Sequence, residues 1–317
     1  MRISVWENGT LRGSTLEELS AGHRKKLWFD IVDPSVGDME NVAETLKVPR
    51  NALLGKLRSN YPHIDSYPNY TKVFVWYLNT ESTGKDLTSD MGPVIIFTNG
   101  HSVVSISQGW TKTSQVIAAN YGSPRYEQIS DTAKVIYLTL DHILESYEYF
   151  VDSFESQAEK LEDQNPPWPR SAYMEAFVIS RESSSLLRLL RHLKKLTEAL
   201  TDGHTELGIS EDEKRLFDLI EERVTGAEET TEVSHDTMQD LIGLHMDTMS
   251  HDMNGTMRLI AALTVVIGVP SLISSLLGVN LAGSVYGNPP LVEIAVSVVS
   301  MAILGAFFYA RGWLRID

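Results

Sequence analysis

Residues Leu259–Val279 read LIAALTVVIGVPSLISSLLGV, a run of 21 residues without a charged side chain. A second apolar run, Pro289–Tyr309, is interrupted only by Glu293. A helix crosses the hydrocarbon core of a bilayer in about 20 residues, so both runs are long enough to span a membrane. The connection Asn280–Asn288 is too short for a domain. The sequence therefore predicts two antiparallel spans near the C-terminus, and the lengths disfavour the alternative of two buried helices in a soluble core.

Positive charge flanks the two spans on one side only. Arg258 precedes the first span, Arg311 and Arg315 follow the second, and the loop between the spans has no Lys or Arg. Flanks rich in Lys and Arg stay in the cytoplasm. The N-terminus also lacks the basic-then-apolar pattern of a secretory signal. We therefore expect a multi-pass protein of the plasma (inner) membrane with both termini in the cytoplasm.

The composition narrows the chemistry that the chain supports. It has 317 residues, a formal net charge of −15 and no cysteine. Without cysteine there are no disulfides, thiolate zinc sites or thiol nucleophiles, so a metal must meet oxygen or imidazole ligands. The negative charge argues against nucleic acid as a partner, because binding would require neutralising phosphates. Cations are the expected partners.

The soluble part changes its pattern near residue 125. Before this point, short apolar runs predict strands and two stretches have helical spacing. The predicted strands are Ile3–Trp6, Leu27–Val32, Val73–Leu78, Val94–Phe97 and Val103–Ile106, and the predicted helices are Gly37–Leu46 and Thr113–Asn120. After it, long amphipathic helices are predicted from about Asp131 to Gln164 and from about Arg170 to Asp202.

A third long helix is predicted from Ser210, because Ser210 and Glu213 have the spacing of a capping box. No proline follows before Pro270, so this helix is expected to continue into the first span and to exceed about 100 Å in length. We therefore expect an α+β cytoplasmic domain at 1–125, a long-helix region with a stalk at 126–257, and a two-helix transmembrane domain at 258–317.

All of the excess negative charge lies in the helical section. Residues 141–252 contain 26 Asp and Glu against 10 Lys and Arg, whereas the remainder has 16 against 17. A solvated helix face is the ordinary explanation of such charge. Beside a pore, the same charge would raise the local concentration of cations.

The first span carries a small and polar face at seven-residue spacing. Its members are Asn254, Ala261, Gly268 and Ser275, with Met257, Thr264, Ser271 and Gly278 in the alternate positions of the same heptad. Such a face is typical of close helix packing in membranes. The alternative is a stripe that lines water, which requires several subunits about an axis because one helix cannot enclose a pore. Both interpretations hold if copies of this helix pack around a narrow axial path.

Gly278-Val279-Asn280, at the end of this span, resembles the Gly-Met-Asn signature of the CorA-type divalent metal ion transporters of the CorA/ZntB superfamily. The tripeptide alone is not specific, since Gly and Asn are ordinary helix terminators. Its context adds weight. Met253–Met257 resembles the family's start of the pore helix, and Leu27–Pro34 resembles its Trp-Ile-Asp-Leu-x-Asp-Pro segment. The resemblance extends over essentially the whole chain.

This resemblance implies a homopentameric funnel in the lipid bilayer, in which the stalk helix lines the pore and the second spans form an outer ring. It implies that Gly278, Val279 and Asn280 form the outer mouth, where Asn280 receives a hydrated divalent cation. The residues expected along the path are Asn254, Met257, Ala261, Thr264, Gly268, Ser271 and Ser275. Mg²⁺, which dehydrates reluctantly, is the expected cargo, with Co²⁺ and Ni²⁺ as further cargo of the same path and Zn²⁺ transport as the alternative. No resident cofactor is expected.

The sequence departs from the family pattern at points that bear on the ion and on regulation. Leu277 and Val279 replace the Tyr and Met usual in magnesium-transporting members, and the loop Leu281–Gly283 more resembles the zinc-transporting ZntB branch. The stretch Ala52–Lys56 has no acid where magnesium-gated members carry one to bind the ion between subunits. We therefore expect a Mg²⁺ transporter, with a ZntB-like Zn²⁺ transporter as the alternative, and no closure through that intersubunit site.

Two other classes of protein compete with transport. An enzyme is disfavoured, because the sequence has no thiol nucleophile, no Gly-rich phosphate loop and no His-x-x-x-His motif or recognisable catalytic acid pair. A membrane-anchored sensor or scaffold is the stronger rival, since a hairpin anchor with a soluble domain would have the same hydropathy. Metal uptake into liposomes separates the two.

Overall fold

The computed structural model describes most of the chain, and the structural statements below concern that part. The described residues are 1–7, 9–22, 28–48, 61–67, 70–81, 87, 91–99, 102–164, 168–202, 207, 209–279 and 289–314.

In the described residues, seven strands form one mixed sheet. They are β1 (Arg2–Glu7), β2 (Thr10–Gly13), β3 (Trp28–Val32), β4 (His63–Tyr67), β5 (Tyr70–Leu78), β6 (Met91–Thr98) and β7 (Val103–Ser107). Their order is β2-β1-β3-β7-β6-β5-β4. The β3–β7 pair is parallel and the other pairs are antiparallel. The five strands predicted from the sequence are confirmed, whereas the short outer strands β2 and β4 were not predicted.

The helices follow the predicted order. They are α1 (Leu16–Gly22), α2 (Val36–Leu46), α3 (Thr113–Tyr121), α4 (Asp131–Glu162), α5 (Arg170–Thr201), α6 (Glu211–Val279) and α7 (Pro289–Ala310). Apart from α1, each was expected from its periodicity or its apolar length. The α+β fold class with a long helix and a C-terminal apolar helix is confirmed. The predicted limits 1–125, 126–257 and 258–317 stay predictions.

Helices cover both faces of the sheet. Phe29 and Ile31 of β3 belong to a core that also includes Val42 and Leu46 of α2. Trp28 points to the other face, where its ring stacks on Tyr121 of α3 with 5.1 Å between the ring centroids. All five residues of β3 are buried, as expected for a strand covered on both sides.

The Asp33-Pro34 pair of the family-like segment has a structural role at the end of β3. Asp33 adopts a positive φ of 52°. Its Oδ1 accepts a hydrogen bond from the Gly109 backbone N–H at 2.8 Å, which joins the end of β3 to the turn that follows β7. A Cβ added at Gly109 would lie 2.7 Å from Asp33 Oδ2, so a larger residue here would force the Asp33 carboxylate to shift from its present position.

The N-terminal part of α6 is fixed to α4 by charge and capping. The predicted capping box is confirmed, because Glu213 accepts from the Ser210 N–H at 2.7 Å and the Glu213 N–H donates to Ser210 Oγ at 3.4 Å. Arg223 donates to both Glu148 and Asp141 of α4. The hydrogen bonds from Arg223 to Glu148 are the main cause of its raised pKa.

The chain divides into two compact units. One comprises Met1–Gln164 with Arg170–Leu241, and the other comprises Asn165–Pro169 with Ile242–Asp317. Helix α6 contributes residues to both. The first unit contains the sheet, and the second contains the apolar part of α6 together with α7.

Candidate ion path along the C-terminal helices

One side of α6 faces α7. Ala262 and Pro270 are buried on this side and Val266 is partly buried. Ser274 Oγ lies 2.7 Å from Ser297 Oγ of α7, so a hydrogen bond between hydroxyls links the two helices. The four α6 residues are four positions apart. Because a helix turns by about 100° per residue, they occupy an arc of about 120°.

The residues predicted to line the ion path lie on the other side of α6. All seven are exposed in the single chain: Asn254, Met257, Ala261, Thr264, Gly268, Ser271 and Ser275. At about 100° per residue, their mean direction lies roughly 170° from that of the α7-facing side. The structure thus brings these residues together on one face, here called the polar face, and turns that face away from α7. Their role in conduction stays a prediction.

The predicted outer mouth is only partly within the described residues. Gly278 and Val279 are the last two residues of α6. Asn280 and the following residues up to Asn288 lie outside the described part of the chain.

Two hydroxyl groups on the polar face already donate their protons within α6. Thr264 Oγ1 donates to the Ile260 carbonyl oxygen and Ser271 Oγ to the Ile267 carbonyl oxygen, each at 2.8 Å. Each of these bonds provides an acceptor for the hydroxyl proton inside an apolar segment. The lone pairs of the hydroxyl oxygen can still accept hydrogen bonds from other groups. A surface of acceptors suits the water hydrogens around a hydrated cation.

Apolar side chains on α6 and α7 are largely exposed in the single chain. On α6, Ile260 is 56% exposed and Leu272 is 61% exposed. On α7, Val298 is 61% exposed and Ile303 is 63% exposed. The described residues leave most of the surface of these side chains uncovered, so lipid or further copies of the chain are expected to cover it.

The lengths of the apolar helices agree in part with the two predicted spans. Among the described residues, α6 is long and apolar enough to cross a membrane, and Ile294–Ala310 of α7 forms a shorter apolar helix. The first predicted span lies within α6, and the second, Pro289–Tyr309, coincides with α7.

The described residues contain no group of three or more His, Asp or Glu side chains arranged to hold a metal ion.

The Ser274–Ser297 hydrogen bond between α6 and α7 was not predicted from the sequence. A usable signal for this bond existed, because each of the two apolar runs contains serines among large apolar residues, where a hydroxyl must find a partner.

Comparison with protein families gives a match over most of the chain. Residues 24–311 match the family described as CorA-like Mg²⁺ transporter protein. The chain belongs to this family. By family and fold it is therefore a CorA/ZntB-type divalent cation transporter of the membrane, as the resemblance over the whole chain led us to expect. No curated protein sequence matches the chain.

Two solved full-length structures of this CorA-like fold resemble nearly the whole chain, and a third structure resembles most of it. The complete CorA magnesium transporter from Methanocaldococcus jannaschii aligns with a TM-score of 0.76 at 14% identity, covering 99% of this chain and 98% of that one. Full-length CmaX aligns with a TM-score of 0.72 at 14% identity, covering 98% and 97%. The ZntB cytoplasmic domain from Vibrio parahaemolyticus aligns with a TM-score of 0.59 at 14% identity, covering 80% and 98%. At this identity the likeness shows the fold alone.

Proposed function

We propose that this protein is the subunit of a homo-oligomeric channel that moves hydrated Mg²⁺ across the membrane, with the polar face of α6 lining the path. One observation carries the proposal. The small and polar residues of the first span lie together on the side of α6 opposite α7, where nothing in the described part of the chain covers them. A face of this kind, in an apolar segment, needs water or a copy of itself beside it.

Several subunits are required because one helix cannot enclose a pore. The exposed apolar residues between the polar face and the α7-facing side, such as Ile260 and Leu272, suit contact with neighbouring copies of α6. Five copies are proposed from the family resemblance. The second helix, α7, then lies on the outer side of each α6, toward lipid.

The chemistry of the polar face favours an ion that keeps its water. Mg²⁺ dehydrates reluctantly and is bound largely through its own waters. Neutral hydroxyl oxygens, such as those of Thr264 and Ser271, can hold such an ion without trapping it. We propose that Asn280, with Gly278 and Val279, receives the ion at the outer mouth. Both termini are proposed to be cytoplasmic, from the positions of Arg258 and Arg311.

Acidic residues continue the seven-residue spacing of the polar face toward the N-terminus of α6. Asp247 and Asp240 stand seven and fourteen residues before Asn254, and both are exposed. Rings of carboxylates at these positions would raise the local concentration of cations and the rate at which they arrive.

Ion uptake by the purified protein in liposomes tests the proposal. Mg²⁺, Co²⁺, Ni²⁺ and Zn²⁺ are offered in parallel, with and without a proton gradient. We expect Mg²⁺ uptake without a gradient. Zn²⁺ uptake that depends on the gradient, with no Mg²⁺ uptake, would support the ZntB-like alternative, which the sequence of the loop Leu281–Gly283 favours. An absence of uptake for every ion would support a membrane-anchored sensor or scaffold.

Regulation is proposed to differ from that of magnesium-gated relatives. The segment that lacks the sensing acid, residues 52–57, lies outside the described residues. The proposal therefore depends on the sequence Ala52–Lys56 alone. A metal ion bound by this segment in an experimental structure would contradict it.

A further inference from the structure

The contact between α6 and α7 sets the register of the two helices. On α6 the residues that face α7 extend from Ser274 toward the N-terminus. On α7 the partly buried residues extend from Ser297, the hydrogen-bond partner of Ser274, toward the C-terminus, namely Ser300, Leu304 and Phe308. Because the packed segments extend in opposite chain directions from the same contact, the two helices run antiparallel. Residues equally far before Ser274 and after Ser297 therefore lie at the same level.

Two arginines lie at nearly the same level in this register. Arg258 stands 16 residues before Ser274, and Arg311 stands 14 residues after Ser297. At about 1.5 Å per residue, these positions are about 24 Å and 21 Å from the serine contact. Both arginines are exposed. In the part of the chain that the structure describes, neither guanidinium has a carboxylate partner.

The end of α7 brings an aromatic ring to the same level. Gly312 adopts a φ of 76°, and the Trp313 N–H donates to the Phe308 carbonyl oxygen at 3.0 Å. This is a Schellman motif, in which the residue after the glycine packs back on the helix. The centroid of the Trp313 ring accordingly lies 5.4 Å from that of Phe308. Trp313 remains 39% exposed, which is typical of a tryptophan at the headgroup level of a bilayer.

We propose that the surface formed by Arg258, Arg311 and Trp313 binds the headgroup of an anionic phospholipid. The guanidinium of Arg311 lies 5.4 Å from the centroid of the Phe307 ring, which holds the charge at the end of the apolar helix. A guanidinium pairs with a phosphate through two parallel hydrogen bonds. A zwitterionic lipid has the same phosphate but also carries a cation, which the two arginines repel. With the proposed orientation of the termini, this surface lies in the cytoplasmic leaflet, where anionic lipids attract basic residues beside a span.

Quenching of tryptophan fluorescence by brominated lipid tests the surface in the full-length protein. Vesicles of phosphatidylcholine contain a small fraction of either dibromo-phosphatidylglycerol or dibromo-phosphatidylcholine. Trp313→Phe gives the background from the other tryptophans. In wild type we expect the anionic lipid to quench Trp313 as strongly as an at least about threefold higher fraction of the zwitterionic lipid. Because both leaflets have the same composition, the result does not depend on the orientation of the protein.

Two double variants separate charge from structure. Arg258 and Arg311 are both replaced by glutamine in one variant and both by lysine in the other. The matched control is Arg215→Gln, which removes a charge from an exposed position of α6 in the first compact unit. We expect the preference for the anionic lipid to disappear in the glutamine variant and to persist in the lysine variant and in the control.

Equal quenching by the two lipids in wild type would overturn the proposal, and this measurement needs no variant to fold. A wild-type preference in the glutamine variant would also overturn it. Loss of the preference in the lysine variant as well would show that the arginines hold the helix ends in place and do not attract the lipid. Loss in Arg215→Gln would trace the preference to the overall charge of the protein, and either loss would overturn the proposal. Mg²⁺ uptake is measured separately in vesicles of phosphatidylcholine alone, so failure of this surface leaves the proposed function untouched.

Discussion

The sheet core and the C-terminal helices contain the same kinds of apolar residue in opposite environments. Val73, Phe74 and Val75 of β5 are 0% exposed, because helices of the same chain cover both faces of the sheet. Ile267 and Leu276 of α6 are 58% and 61% exposed. The difference lies in where the apolar partner comes from. The sheet finds it within the chain, whereas the C-terminal helices need lipid or further copies of the chain.

This difference separates stability from function. Changes in the sheet core should alter the free energy of unfolding, whereas changes on the polar face of α6 should alter ion flux and leave the fold intact. The first three predictions below test that separation with a pair of variants, one from each compact unit. The last prediction tests a contact within the first unit.

The largest effect is expected for Asn280→Ala. Asn280 is the proposed source of the side-chain amide at the outer mouth, and its replacement by alanine removes the oxygen that is proposed to receive the hydrated ion. We expect uptake into liposomes to fall to the background of empty vesicles while the oligomer elutes unchanged in size-exclusion chromatography. The control is Asn120→Ala, an exposed asparagine of α3, which should transport normally. Normal flux from an assembled Asn280→Ala protein would remove Asn280 from the path.

Phe74→Ala should destabilise the sheet unit strongly. Phe74 is fully buried in the core beneath α1 and α2, and replacing a core phenylalanine by alanine costs about 3–5 kcal/mol. Leu272→Ala on α6 is the counterpart. Its side chain is 61% exposed, so we expect a much smaller change in the same assay, which is chemical unfolding in detergent followed by circular dichroism. Equal losses in the two variants would show that the two regions do not differ as described.

The sequence predicted the helices and strands that have a local apolar pattern. It missed the elements that depend on pairing with another part of the chain. The strand at Trp28–Val32 and the helix at Asp131–Glu162 have clear apolar periodicity. The outer strand Thr10–Gly13 has one partly buried residue, so no apolar alternation marks it. Its pairing with β1 comes from backbone hydrogen bonds that composition does not encode.

The candidate site shows the same limit. Seven-residue spacing from Asn254 to Ser275 predicted one shared face of α6, because helix periodicity is a property of the sequence. The side that faces α7 depends on a tertiary contact, the Ser274–Ser297 hydrogen bond, and could not be read from spacing alone.

Thr264→Val should reduce flux moderately without affecting stability. Valine keeps the shape and removes the hydroxyl oxygen that is proposed to accept from the ion's water. Since one hydrogen bond contributes about 0.5–1.5 kcal/mol, we expect flux to fall by about three- to tenfold. Thr231→Val is the matched control. Thr231 also donates to its own helix, to the Ala227 carbonyl at 2.6 Å, but it is 0% exposed in the other unit.

The control should change stability by no more than about 1 kcal/mol and should transport as wild type does. The measurements are initial rates of Mg²⁺ uptake and unfolding curves for both proteins. A Thr264→Val protein with wild-type flux would mean that this hydroxyl does not face the path.

The smallest effect is expected for Glu213→Gln, which tests a contact within the first unit. Glu213 accepts from the backbone N–H groups of Ser210 and Ser130, each at 2.7 Å, and so joins the start of α6 to the start of α4. Burial raises the pKa of this carboxyl, but the hydrogen bonds from Ser130 and Ser210 outweigh it and hold the pKa below the ordinary 4.5. A lowered native pKa means that the carboxylate stabilises the fold above about pH 4.5 and that this contribution is lost as the pH falls through the native pKa.

Replacing a capping group costs about 0.5–2 kcal/mol, so we expect Glu213→Gln to be less stable by about 1 kcal/mol at neutral pH and to converge with wild type in acid. Glu222→Gln, an exposed carboxylate of the same helix, should keep the wild-type pH profile. Thermal unfolding from neutral pH to about pH 3 checks this, and a difference between Glu213→Gln and wild type that stays constant with pH would show that the charge of Glu213 is not what joins the two helix ends.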